Sequence, residues 1–329
     1  MAASVWFAGP RQVEVRDEPL PDVGANDVRV EALASAISHG TEMLVFRGQV
    51  PDGLELDLPT LRGSFAFPIK YGYATVGRVV ECGAGVRTLE PGQAVFVHHP
   101  HQSAFVVPET QPIRLPERLD PVLGVFLANV ETATNVVLDA APRLAERVLV
   151  LGQGVVGLLI TQILKRTGVS EVAVVDPIAS RRELAVRLGA DSATASAASL
   201  ARGDFDLAIE ASGSPAALDE ALERVVFGGT IVVCSWYGTK PVPLRLGGAF
   251  HRRRLRIVSS QVSSIDSALQ PRWSRERRLA VARDLLERLQ LGPLISHRFS
   301  LERAGEAYAL IDQRPEDAVQ VLLTYQDGL

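Results

Sequence analysis

Hydrophobic and polar positions change rhythm once along this chain. Through residue 118 the apolar residues come in short runs, Val13 to Val15, Val28 to Ala32, Val76 to Glu81 and Ala94 to Val97. Turns marked by Pro19 and Pro21, Gly83 and Gly85, and Pro91-Gly92 separate them, which predicts an all-β, barrel-like half. Residues 48–68 hold scattered glycines, prolines and apolar residues without a period and read as a long loop. From Pro121 the pattern turns helical and then alternates. Strands are expected at 148–151, 172–176, 206–210, 229–234 and 255–260, with helices near 155–167, 179–188, 215–226 and 247–253. That alternation predicts an α/β doubly wound parallel sheet. An amphipathic helix over 274–290 has Leu279, Ala282, Leu285, Leu286 and Leu289 on one face. A helix beginning near Ser300, Glu302 and Arg303 and a last strand, Val319 to Leu323, follow.

The most informative stretch runs from Arg147 to Gly157. The apolar run Val148 to Leu151 leads into Gly152, Gly154 and Gly157, and Leu158, Leu159, Ile160, Ile163 and Leu164 then recur at helical spacing up to Gly168. A strand, a tight glycine turn and a helix form the phosphate-binding start of a dinucleotide fold. Gly152 permits the turn, Gly154 lets a pyrophosphate lie on the backbone, and Gly157 lets the helix approach. Gln153, Val155 and Val156 complete the turn. Asp176 closes the next apolar strand 19 residues after Gly157, about where an acid binds the adenosine ribose hydroxyls. It predicts NAD(H) over NADP(H), although Arg181 and Arg182 leave NADP(H) possible.

The 329 residues allow two domains, and a formal net charge of −4 gives no reason to expect a nucleic-acid partner. Two cysteines, Cys82 and Cys234, make no disulfide framework. No basic and apolar leader and no stretch of about 18 apolar residues is seen, so neither secretion nor a membrane span is expected, and a cytoplasmic location is the default.

Gly72-Tyr73-Ala74, Gly77, Val79, Cys82-Gly83, Gly85-Val86, Pro91-Gly92-Gln93, Val95, Thr132-Ala133 and the segment Glu210 to Gly213 together resemble the medium-chain dehydrogenase/reductase superfamily over nearly the whole chain. The resemblance implies a GroES-like catalytic domain from 1–118 and 294–329, and a Rossmann domain from 119–293. It also implies hydride transfer in the cleft between them, a small-molecule substrate, and a homodimer through the strand Leu255 to Ser260. Zinc-dependent relatives have C-G-T-D, G-H-E and a third ligand before the T-A helix. Here these are His39-Gly40-Thr41-Glu42, Gly72-Tyr73-Ala74, and Ala128 to Glu131. The zinc-free branch is therefore the expectation. Ser38, Gly40, Thr41 and Glu42 are also similar, locally, to the bacteriochlorophyllide hydroxyethyl dehydrogenases.

Without zinc, Tyr73 or His39 is expected to polarise a secondary alcohol or ketone oxygen, with Thr41 as relay and Glu42 orienting the loop or His39. His39 and Glu42 could instead only pair with each other. Ser212, Gly213, Ser235 and Gln261 are expected at the cofactor, and Asn129, Glu131, Trp236, Tyr237 and Trp273 at the substrate; packing is the other reading of Trp273. His98, His99 and His101 read as a polar edge or substrate rim, or as a metal site. His251 to Arg254 read as a solvated helix end or a phosphate contact. An activated-alkene reductase and a non-catalytic dinucleotide sensor are the alternative functions.

Overall fold

The computed structural model describes residues 1–58 and 61–325. The chain packs as two compact units, one from Met1–Ala128 with the chain from Leu291 onward, the other Asn129–Gln290. The first boundary falls after the 118/119 point read from the sequence because the 3₁₀ turn Pro121–Phe126 packs on strands of the first unit. At Gly124 a Cβ would lie 2.4 Å from Leu115 and 3.1 Å from Val76.

In the first unit β1 (Ala2–Gly9) pairs with β2 (Gln12–Glu18). The long central strand β3 (Asp27–Ala36) is followed by the short helix α1 (Thr41–Phe46). Then β4 (Glu55–Leu58) and β5 (Leu61–Ser64) form an antiparallel pair. This corrects the loop expected over 48–68, where alternation was too short to register as strands. Strand β6 (Ile69–Lys70) joins β1. Strands β7 (Thr75–Cys82), β8 (Ala94–Val97), β9 (Ala104–Pro108) and β10 (Ile113–Arg114) build a larger sheet around β3.

The second unit begins with the body of α2 (Leu127–Ala140). With the preceding turn it makes a 20-residue helical run, Pro121–Ala140, of mean hydropathy 1.4. That run is long and apolar enough to cross a membrane, against the sequence reading, but 67% of its apolar window is buried inside the protein. The parallel strands are β11 (Arg147–Leu151), β12 (Glu171–Val175), β13 (Ser192–Thr194), β14 (Phe205–Glu210), β15 (Val225–Val233) and β16 (Arg256–Ser259). Their spatial order, β13-β12-β11-β14-β15-β16, reverses direction between β11 and β14, where doubly wound sheets bind ligands. Helices α3 (Val155–Leu164), α4 (Ala179–Arg187) and α5 (Pro215–Leu222) are the crossovers.

Strand β13 escaped the sequence reading because its Ser-Ala-Thr is half-exposed and has no apolar run. Helix α5 ends before the expected 226 because Val225 already pairs with Phe205. Near 247–253 the chain makes a π-helical turn, Leu246–Phe250, broken at Gly248. Helix α6 (Arg275–Leu285) stops short of 290.

The tail returns to the first unit. Strand β17 (Ile295–Ser300), helix α7 (Ala304–Gln313) and β18 (Gln320–Thr324) pack there, with β18 antiparallel to β3 and Leu323 opposite Ser35.

Candidate active site

The glycine turn is shaped by three different constraints. Gly152 has φ +93°, and a Cβ there would lie 2.6 Å from the Ser212 Cα. A Cβ on Gly157 would lie 1.9 Å from the Gly152 carbonyl oxygen. A Cβ on Gly154 would meet nothing within 4 Å, so that face of the backbone is open for a phosphate. Gly154 is also the N-cap of α3, with no side-chain cap. The first-turn N–H groups, at Val155 and Val156 and onward, therefore face the turn without intrahelical acceptors. These residues fit a dinucleotide pyrophosphate.

Gln153 serves through its backbone. Its side chain is fully buried, donating to the Gly152 carbonyl (3.0 Å) and accepting from Thr161 (3.2 Å). Its N–H donates to Asp176 Oδ2 at 2.7 Å, and the Ile178 N–H to Oδ1 at 2.9 Å. Asp176 is thus a built part of the turn, with Arg181 Nη1 4.0 Å away. Asp176→Ala should weaken NADH binding by about 1.5–3 kcal/mol, the range for hydrogen bonds to a charged group; a fluorescence titration reads this directly.

The segment after β14 is organised by a residue whose role the sequence did not reveal. Glu210 is fully buried, and its Oε1 accepts from Ser212 N–H (2.6 Å), Ser212 Oγ (2.6 Å) and Gly213 N–H (2.9 Å). Ser235 Oγ also accepts from Gly213 N–H at 2.8 Å. Ser212, Gly213 and Ser235 are therefore brought together at the carboxyl ends of β14 and β15.

The expected substrate residues of this unit fare unevenly. Trp236 is exposed, but the Tyr237 ring packs on the sheet core. The Trp273 face is covered by the Arg277 guanidinium, 4.3 Å from the ring centroid. Glu131 is committed to Arg278, whose Nε and Nη2 lie 3.1 and 2.9 Å from Oε1. Arg278 is 2% exposed and also donates to Asn135 Oδ1 (2.6 Å) and the Val262 carbonyl (2.6 Å). Gln261 folds back to accept from the Ser263 N–H at 2.6 Å. Asn129 is half-buried on α2.

In the first unit Tyr73 packs its ring on an apolar cluster and edge-on to Tyr71 (6.3 Å, 84°). Its hydroxyl reaches the Ser38 and Thr41 side chains, and burial pushes the phenol up to about 12. His39 sits half-buried in the same turn. Glu42 is fully buried: it accepts from His101 Nε2 (2.8 Å), the Tyr308 hydroxyl and the Ser38 N–H (3.0 Å). The rim expected of the three histidines is absent. His98 approaches the Tyr73 carbonyl (3.2 Å), His99 is buried and stacks on Phe105 (3.8 Å, 9°), and His101 is buried against Glu42. Burial pushes His99 down to about 3.

The family's zinc does not fit these side chains. The position of its histidine holds a packed tyrosine, and that of its third ligand a buried alanine methyl at Ala128. A catalytic zinc needs three protein donors, and only His39 of the three positions offers a strong one. Among the described residues no group of three or more His, Cys, Asp and Glu side chains is placed to hold a metal.

Comparison with known proteins agrees with this architecture. The zinc-binding dehydrogenase family matches residues 155–279. D-Guloside 3-dehydrogenase of Escherichia coli K12 is 29% identical, covering 92% of this chain and 93% of that protein. The 2-desacetyl-2-hydroxyethyl bacteriochlorophyllide A dehydrogenase of Cereibacter sphaeroides is also 29% identical, covering 98% of each. Two solved structures share the fold at TM-score 0.79, each covering 98% of this chain and 99% of the other. One is described as a short chain alcohol dehydrogenase of Escherichia coli CFT073 with NADH (23% identity), the other as a zinc-binding dehydrogenase of Sinorhizobium meliloti 1021 with NADP (22%). The fold and the glycine turn fit a bound dinucleotide, and the relatives that the chain resembles are dehydrogenases. The chain is similar to these dehydrogenases over nearly its whole length, and its residues 155–279 match the zinc-binding dehydrogenase family.

Proposed function

We propose that this protein interconverts a secondary alcohol and its ketone with NAD(H), without zinc, using Tyr73 as the proton donor. The observation that carries the reading is the Tyr73 hydroxyl beside the Ser38 and Thr41 hydroxyls, at the position where zinc-dependent relatives hold a metal ligand. A bound nicotinamide supplies or accepts the hydride. Burial pushes the Tyr73 phenol up to about 12, so it enters ketone reduction as an acid, giving its proton to the carbonyl oxygen as charge develops there. Thr41 and Ser38 donate to the phenolate left behind, and Thr41 passes the replacement proton. His39, in the same turn, is a second donor to that oxygen.

The relatives support a hydroxylated substrate, since one is named for oxidation at a ring position of a guloside and another for a hydroxyethyl group. NADH absorbance with alkyl D-gulosides and NAD⁺, and with simple ketones and activated alkenes and NADH, tests the class. Turnover of alkenes alone would overturn it. NAD(H) is preferred because the Asp176 carboxylate repels a 2′-phosphate; tighter binding of NADPH than NADH would reverse that preference. Elemental analysis of untagged protein is expected to find substoichiometric zinc, and one zinc per chain would refute the metal-free site.

A further inference from the structure

Under the Tyr73 hydroxyl lies a line of buried polar groups that the chemistry above does not touch. Ser35, Glu42, His101 and Tyr308 are each 0% exposed. The Tyr325 hydroxyl lies 2.7 Å from Ser35 Oγ, and Ser35 Oγ 2.6 Å from His101 Nδ1. His101 Nε2 lies 2.8 Å from Glu42 Oε1, which also accepts from Tyr308. A carboxylate accepts only, so Nε2 carries the hydrogen toward Glu42, and Nδ1, Ser35 Oγ and the Tyr325 hydroxyl continue the line. Every group in the line then has a partner of the right sense.

The surroundings are fitted to this line. Gly72 has φ +119°, and a Cβ there would lie 2.7 Å from the His101 ring. Phe7 and Phe46 enclose the Tyr308 ring at 5.1 and 5.2 Å. Burying a carboxylate is costly unless its oxygens are satisfied, and three donors converge on Glu42. One of them is the Ser38 N–H, at 3.0 Å. Helix α1 has no side-chain cap at Gly40. The Glu42 carboxylate, in the first helical turn, reaches back to the Ser38 N–H and pins the turn that leads from Ser38 into Thr41 at the start of α1, much as a capping-box acid does.

We infer that Glu42, fixed by His101 and Tyr308, is a positioning residue that holds the Ser38 and Thr41 hydroxyls on the Tyr73 phenol before substrate arrives. The inference rests on the reading of Tyr73 as the donor. Glu42, Tyr71 and His98 face Tyr73, with His39 in the adjoining turn; His101, Tyr308, Tyr71, Tyr73 and Tyr325 face Glu42.

The test needs no substrate. With Tyr73 replaced by a fluorinated tyrosine, whose phenol ionises below that of tyrosine, ¹⁹F NMR follows ionisation at this one ring. Thr41→Val removes a donor to the phenolate and should raise the ionisation midpoint by about one pH unit. In a Glu42→Gln background the amide places a donor against the Ser38 N–H, the loop is released, and Thr41→Val should then have no further effect. Tyr308→Phe, which keeps the ring packing, should reduce the Thr41→Val shift, and it serves as the background if Glu42→Gln does not fold. Equal Thr41→Val shifts in wild-type and variant backgrounds, or no shift in either, would overturn the inference. Failure of the donor reading appears separately, as full turnover by Tyr73→Phe.

Discussion

Tyr73→Phe is expected to lower kcat by about 10²–10⁴-fold, the usual loss on removing a positioned general acid, with NADH affinity nearly unchanged. At 1.36 kcal/mol per decade this corresponds to about 2.7–5.5 kcal/mol of transition-state stabilisation. The substitution keeps the ring, so the apolar cluster around Tyr73 and the edge contact with Tyr71 survive. The lost hydroxyl bonds to Ser38 and Thr41 should cost the folded state only about 1 kcal/mol each. A large rate effect with a small stability effect therefore identifies a chemical role. Stopped-flow NADH absorbance on the substrate found by the panel gives the first quantity and a denaturant melt the second. His39→Ala, measured the same way, apportions the work between the two donors. If both variants keep full turnover, the proton comes from elsewhere.

Arg278→Met is expected to destabilise the protein by about 3–5 kcal/mol, the range for breaking a buried ion pair from one side. The Arg278 side chain is 3% exposed and that of Glu131 12%. The variant would leave Glu131 Oε1, Asn135 Oδ1 and the Val262 carbonyl without their donor. The cost arises mostly from the carboxylate left behind. Adding Glu131→Leu should therefore recover much of it, since a well-packed apolar pair can replace a buried ion pair at little loss. Urea denaturation of the two single variants and the double variant closes the cycle. Additive losses would show that Arg278 and Glu131 do not depend on each other. Because Arg278 also holds the backbone just after β16, the single variant should lose thermal stability before it loses affinity for NADH.

Local sequence carried the alternation of strands and helices, the glycine turn and the placement of Asp176, because each depends on residues close in the chain. Gly152, Gly154 and Gly157 differ in what a Cβ would meet, and only their spacing was needed to read them. Departures at His39, Tyr73 and Ala128 were likewise visible as residue types. Partnerships across long separations were not visible. Arg278 lies in the amphipathic helix read over 274–290 with nothing to single it out, yet the fold brings it against Glu131, 147 residues away. Glu210 gave no sign that its carboxylate would gather Ser212 and Gly213. His101 read as part of a polar edge, a substrate rim or a metal site, and is instead buried between Ser35 and Glu42. Tyr308 and Tyr325 come from the returning tail, and only the pairing of β18 with β3 puts them beside residues near position 40. A buried polar group needs partners, and no local pattern says which distant residues will supply them; tertiary packing alone made that choice.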